Sequence, residues 1–147
     1  MVLPVTSSSS SERARAVDIL NRVFAHRYHS LARYVIEAAG FIDESDRPVL
    51  QRIEEIAAWD AVEAENLSRT IESLDGIPQV DVIDPEYAEL NYLSIRHLLG
   101  VLRKSLETEL KACSQYLSET RACLPAHRAV RRVHDGLERH LGLLIAD

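Results

Sequence analysis

Five residues of this chain could do chemistry if a fold brought them together: Arg27, Asp60, Glu63, Glu109 and His140. They form no contiguous motif, and what singles them out is their place on otherwise apolar helical seams. Leu20, Arg27 and Tyr34 are spaced by seven, as are Ile53, Asp60, Leu67 and Leu74, and again Leu102, Glu109 and Tyr116. Glu63 lies about one turn beyond Asp60 on much the same face, and His140 follows the apolar Leu137 by three residues. Each seam therefore turns an ionisable group inward. A charge taken out of water is costly unless it is paired or binds an ion, so these groups should meet one another.

Two arrangements would satisfy them. In the first, Arg27 clamps one or two of Asp60, Glu63 and Glu109 in a buried ion and hydrogen-bond cluster. In the second, the three carboxylates and His140 hold a single cation. Oxygen donors with one imidazole suit iron or manganese, or zinc, and three carboxylates against one guanidinium leave negative charge to spare. Arg27 itself, placed at the centre, argues for the first. His26 and His29 flank Arg27 and read as partly exposed, although His26 could approach the core as an extra ligand. His97, His127 and His134 have no partner at a motif spacing and read as surface residues. Trp59 reads as an amphipathic wall beside Asp60, and Cys113 as a small buried hydrophobe. Tyr34 and Tyr116 read as packing tyrosines whose hydroxyls can reach inward carboxylates. Ser-His-Asp, Gly-rich phosphate-loop and zinc-finger spacings are absent.

The elements that must position these groups are long helices. The chain has 147 residues, enough for one domain with a sizeable core, and only five Gly and five Pro to interrupt it. Residues 1–11 end in a run of serines and read as a disordered leader, with the folded domain over 12–147. Ser9 and Glu12 have capping-box spacing. A first helix is expected from there to Gly40, with Val17, Leu20, Phe24, Leu31, Val35 and Ala38 as its stripe. Ser45, Asp46 and Pro48 open a second, which Gly76 and Pro78 close. A long connection over about 77–93 reads as extended near Val80–Asp84, with a short helical turn at Asp84-Pro85. A third helix runs from about Ser94 to Ala122, Pro125 interrupts, and a fourth runs to the C-terminus. Short, long and short connections predict an all-α antiparallel four-helix bundle with one crossover between helices two and three.

Composition narrows the function classes. Lys and Arg total 17 against 23 Asp and Glu, for a net charge of -6, so a nucleic-acid or acidic-membrane surface is not expected as the main partner. Two cysteines give no disulfide framework, and neither a membrane span nor a secretory signal is evident, so a cytoplasmic location is expected.

These residues resemble the ferritin-like superfamily, the bacterioferritin branch in particular. Leu20-Asn21, Ala25 and Tyr34 look like the family's first helix. Leu74-Asp75-Gly76-Ile77-Pro78 is similar to its Leu-Glu-Gly-Leu-Pro-type ending of helix two, and the long connection falls where the family has its crossover. The resemblance covers about residues 15–145. It implies subunits that pair through helix faces, hence a homo-oligomer of at least two chains. It also implies two irons held by Glu on helix one, E-x-x-H on helix two, Glu on helix three and E-x-x-H on helix four. Carried over, the helix-one Glu falls on Arg27, the helix-two pair on Asp60 and Glu63, the helix-three Glu on Glu109, and the helix-four pair on Leu137 and His140. Only Glu109 and His140 match. The Met that holds haem in the family falls on Ala61, and the sole methionine is Met1, so no haem is expected. The expectation is a ferritin-like protein without a standard di-iron centre, acting through self-association or partner binding. The alternative is a mononuclear iron or manganese protein or oxidoreductase built on Asp60, Glu63, Glu109 and His140. Whether any reaction is catalysed stays open.

Overall fold

The structure, a computed structural model, describes residues 9–40, 42–80 and 93–145. The expectations for the leader before Ser9, for Asp81–Asp84 and for the Asp84-Pro85 turn lie outside these residues. The described chain is helical, with α1 at Ser10–Tyr28, α2 at Leu31–Ala38, a 3-10 turn at Glu44–Asp46, α3 at Arg47–Ser73, α4 at Ile95–Glu119 and α5 at Leu124–Ile145. No strand occurs among the described residues. Four long helical segments are thus present, the first made of α1 and α2.

Local chemistry accounts for the boundaries. The expected capping box starts α1, with the Ser9 hydroxyl accepting from Glu12 N and the Glu12 carboxylate accepting from Ser9 N. The first segment is not the unbroken helix to Gly40 that the sequence suggests. It stops at His29 and restarts after Ser30, whose hydroxyl accepts a hydrogen bond from Arg33 N and caps α2. A serine can offer the backbone this alternative partner without any Gly or Pro nearby. Asp46 stands at the N-cap of α3 without capping it, because its carboxylate pairs with Arg96 at 3.0 Å. Pro125 does not separate α4 from α5. It sits in the first turn of α5, where its missing N–H costs no helical bond.

The end of α3 is a Schellman motif: Gly76 N donates to Ile71 O and Asp75 N to Glu72 O. The left-handed residue is Asp75, at φ 61°, not the neighbouring glycine. Gly76 serves a different need, because a Cβ there would lie 2.6 Å from the Val17 side chain. Its missing side chain lets the end of α3 close onto α1.

The expected apolar stripes meet in one core that includes Leu20, Val35, Ile53, Leu67, Leu98, Leu102, Val133 and Leu137. Polar contacts give the directions of the helices. Along α1 and α3 they step from Arg13–Asp75 to Arg27–Asp60, and along α1 and α4 from Arg15–Glu119 to Arg27–Glu109. Along α3 and α5 they step from Arg52–Leu143 to Glu63–Arg132, and along α4 and α5 from Arg103–Leu144 to Thr120–His127. In each pair the numbers rise on one helix as they fall on the other. The Arg96–Asp46 pair joins the starts of α4 and α3.

The α3 terminus gives a test with two signs. Asp75→Gly should raise stability by about 0.5–1 kcal/mol by relieving the left-handed residue, since the exposed Arg13–Asp75 pair it removes is worth little. Gly76→Ala should lower stability by about 1–3 kcal/mol through overpacking against Val17. Urea denaturation of the two variants measures both.

Candidate functional site

Arg27 is the largest side chain in the fully enclosed part of the core, with 2% of its surface exposed. It reaches that position from the last turn of α1. Its Nη1 lies 3.0 Å from Asp60 Oδ1 on α3, and its Nη2 bonds Glu109 Oε2 on α4. Burial opposes its charge, but Glu109 and Asp60 outweigh that, and the guanidinium titrates above its already high ordinary value. The ring of Trp59 covers it, with Cζ 5.0 Å from the ring centroid.

Asp60 is equally enclosed. Its Oδ2 accepts a 2.6 Å hydrogen bond from the Ser30 hydroxyl, the same group that caps α2. The interruption of the first helical segment is therefore part of the site, because it supplies the hydroxyl that Asp60 uses. Burial pushes the Asp60 carboxyl up to about 6, although Arg27 and Ser30 pull it the other way. Glu109 carries Arg27 on one oxygen, and its other oxygen lies 3.8 Å from Nδ1 of the half-exposed His26. His26 thus comes near Glu109 from the protein surface. The Cys113 thiol, near Glu109 on the same helix, is pushed up to about 12, chiefly by burial.

The other two candidates lie elsewhere. Glu63 is buried, but Arg132 on α5 takes its carboxylate, with Nε 2.8 Å from Oε2. His140 packs against Trp59, the two ring centroids 5.0 Å apart. Its Nε2 is buried without a hydrogen-bond partner. Burial, then the nearby Arg139, holds its imidazole below the ordinary histidine range. Asp60 and Glu109 are therefore brought together through Arg27, whereas Glu63 and His140 are drawn off by Arg132 and Trp59. Among the described residues, no three His, Cys, Asp or Glu side chains gather closely enough to hold a metal ion. The donors that the resemblance assigns to two irons do not fit that group here, because a guanidinium occupies the space between them.

Three participants escape the sequence reading: Ser30, Arg132 and Gly136. A Cβ at position 136 would lie 2.2 Å from the Trp59 ring, so this helical glycine is what admits the tryptophan. A glycine inside a helix costs about 1 kcal/mol and so signals a close approach. Arg132 gives no such signal, because it is one of many exposed arginines on α5. Two smaller readings need correction. The Tyr116 hydroxyl engages Arg22 rather than an inward carboxylate. His127 and His134 are half-buried, bonded to Thr120 and Asp135 respectively.

Outside this cluster, a half-open cavity of about 450 Å³ lies between α1, α2 and α3. Arg27, Ser30 and Arg33 contribute to its lining, as does Ala61, which offers no metal donor.

The two perturbed groups make opposite contributions over the same pH window. The raised Asp60 carboxyl gives stability that is present at low pH and lost as pH rises towards about 6. The lowered His140 gives stability that is present above the ordinary histidine value and lost as pH falls below it. His140→Gln should leave a protein that gains stability on going from pH 7.5 to pH 5, by about 1 kcal/mol. Asp60→Asn should leave one that loses stability over the same interval. Urea midpoints at the two pH values test both signs. Gly136→Ala should cost about 1–3 kcal/mol and shift Trp59 fluorescence, because the ring must leave its place over Arg27.

In comparison with known proteins, no family model matches the chain and no curated protein matches it.

Proposed function

We propose that this chain is a ferritin-like, antiparallel four-helix bundle with one crossover, in which an arginine takes the place of the metal centre. On this reading it works as a self-associating structural unit, as a homo-oligomer of at least two chains. The observation that carries it is the enclosed Arg27 guanidinium, ion-paired with both Asp60 and Glu109. These are two of the positions at which the resemblance would place metal ligands. A fixed positive charge there meets the electrostatic need that a cation would otherwise meet. Self-association rests on the resemblance, whose subunits pair through helix faces.

A second reading draws on one further contact, the approach of His26 to Glu109. If Arg27 swung aside, Asp60, Glu109 and His26 would remain as oxygen and nitrogen donors for one iron or manganese ion, with Glu63 and His140 released from Arg132 and Trp59 to complete it.

Elemental analysis of the purified, untagged protein after incubation with ferrous iron, manganese or zinc separates the two. The first reading expects no stoichiometric metal under any condition, together with a sedimenting species larger than the 16.6 kDa chain. It also expects Arg27→Leu to lower stability at pH 7.5 by about 3–5 kcal/mol, by stranding two buried carboxylates. One metal per chain, lost in Glu109→Gln, would establish the second reading. A monomer at all concentrations would remove self-association from the first.

A further inference from the structure

The cavity between α1, α2 and α3 has a wall, a cover and a source of positive charge, and its wall and cover take no part in the cluster at the helix centre. The wall is Ala57, Ala61 and Ala64, which recur at helical spacing on one face of α3 and leave room because their side chains are small. Phe24 and Tyr28, one turn apart on α1, supply aromatic surface, with ring centroids 5.6 Å from each other. Tyr28 keeps 48% of its surface exposed, so the cavity is open on that side.

The polar side of the cavity is cationic. Arg33, in the first turn of α2, lines it, is exposed and forms no ion pair among the described residues. Arg27 also contributes to the lining, and its Nε is buried without a hydrogen-bond partner. Glu65, the one carboxylate in the lining, is already bonded to Arg69. A volume of about 450 Å³ lies within the range of small-molecule sites, which pair a mostly apolar lining with a few convergent polar groups.

We propose that this cavity binds a small monocarboxylate with an apolar body about the size of one aromatic ring, the carboxylate meeting Arg33 and the body lying between the alanine wall and the two aromatic rings. The chemistry favours a carboxylate because a guanidinium matches its two oxygens with paired N–H donors. It favours a single-ring body because the apolar lining consists of three alanines and the rings of Phe24 and Tyr28. The inference is independent of what occupies the helix centre and of the oligomeric state.

Phenylacetate is the probe, and its neutral isostere phenylacetamide is the control, both titrated into the full chain by calorimetry and by amide NMR spectra. The expected result is saturable one-site binding of phenylacetate, with spectral shifts centred on Phe24, Tyr28 and Arg33. Phenylacetamide and the Arg33→Leu variant should each bind about tenfold more weakly or worse, the loss of a charge-assisted contact. Ala61→Phe, at an exposed position where a larger side chain fills the cavity, should abolish binding while leaving the thermal midpoint and sedimentation unchanged. No saturable binding at millimolar phenylacetate would overturn the proposal. So would equal affinity for the amide, or undiminished binding by either variant.

Discussion

The interior of this protein depends on one guanidinium held between two carboxylates from different helices. Arg27 closes α1, Asp60 lies midway along α3 and Glu109 midway along α4, so a single side chain ties three helices at one level. Such an arrangement is not cheap, since each charge gives up its water and a well-packed apolar trio could be at least as stable. What the ions contribute is position. Apolar stripes can slide past one another by a turn at modest cost, but a slip that separated Arg27 from its partners would leave charges buried and alone.

The surroundings follow from that requirement. Trp59 places its ring over Arg27, which shields the guanidinium from water while keeping a favourable face towards it. The ring needs room, and the missing side chain of Gly136 provides it. Ser30 answers one Asp60 oxygen, and the backbone at that point has left the helix so that the same hydroxyl can also cap α2. The local interruption, the cap and the buried carboxylate are thus one feature. Glu63 shares the inward face of Asp60 but sits one turn further on, beyond the reach of Arg27, and Arg132 neutralises it from α5.

How much of this was legible follows a physical divide. The long helices and their stripes were readable because periodic burial is written in the spacing of apolar residues: Ile53, Leu67 and Ile71, or Leu98, Leu102 and Leu106, all fall inside. The inward placement of Arg27, Asp60, Glu63 and His140 was readable for the same reason, since each interrupts a stripe at its own period. Which of them meet was not readable. That depends on the relative height of the helices, which is set by ends and close approaches such as Gly76 against Val17 and Gly136 against Trp59. The break at Ser30 escaped because a lone serine within a helical pattern commonly stays helical. Here a tertiary partner, Asp60, is present to favour the other choice.

Charge counting shows what the cluster has to balance. Arg27 faces Asp60 and Glu109, which would leave one negative charge over if both carboxylates were ionised. The Asp60 carboxyl, pushed up to about 6 chiefly by burial, takes up a proton and removes that surplus only as pH falls towards that value. Glu109 is less enclosed than Asp60 and has His26 3.8 Å from its second oxygen. A metal ion would have to displace the guanidinium before it could use the same oxygens, since Arg27 sits between the two carboxylates.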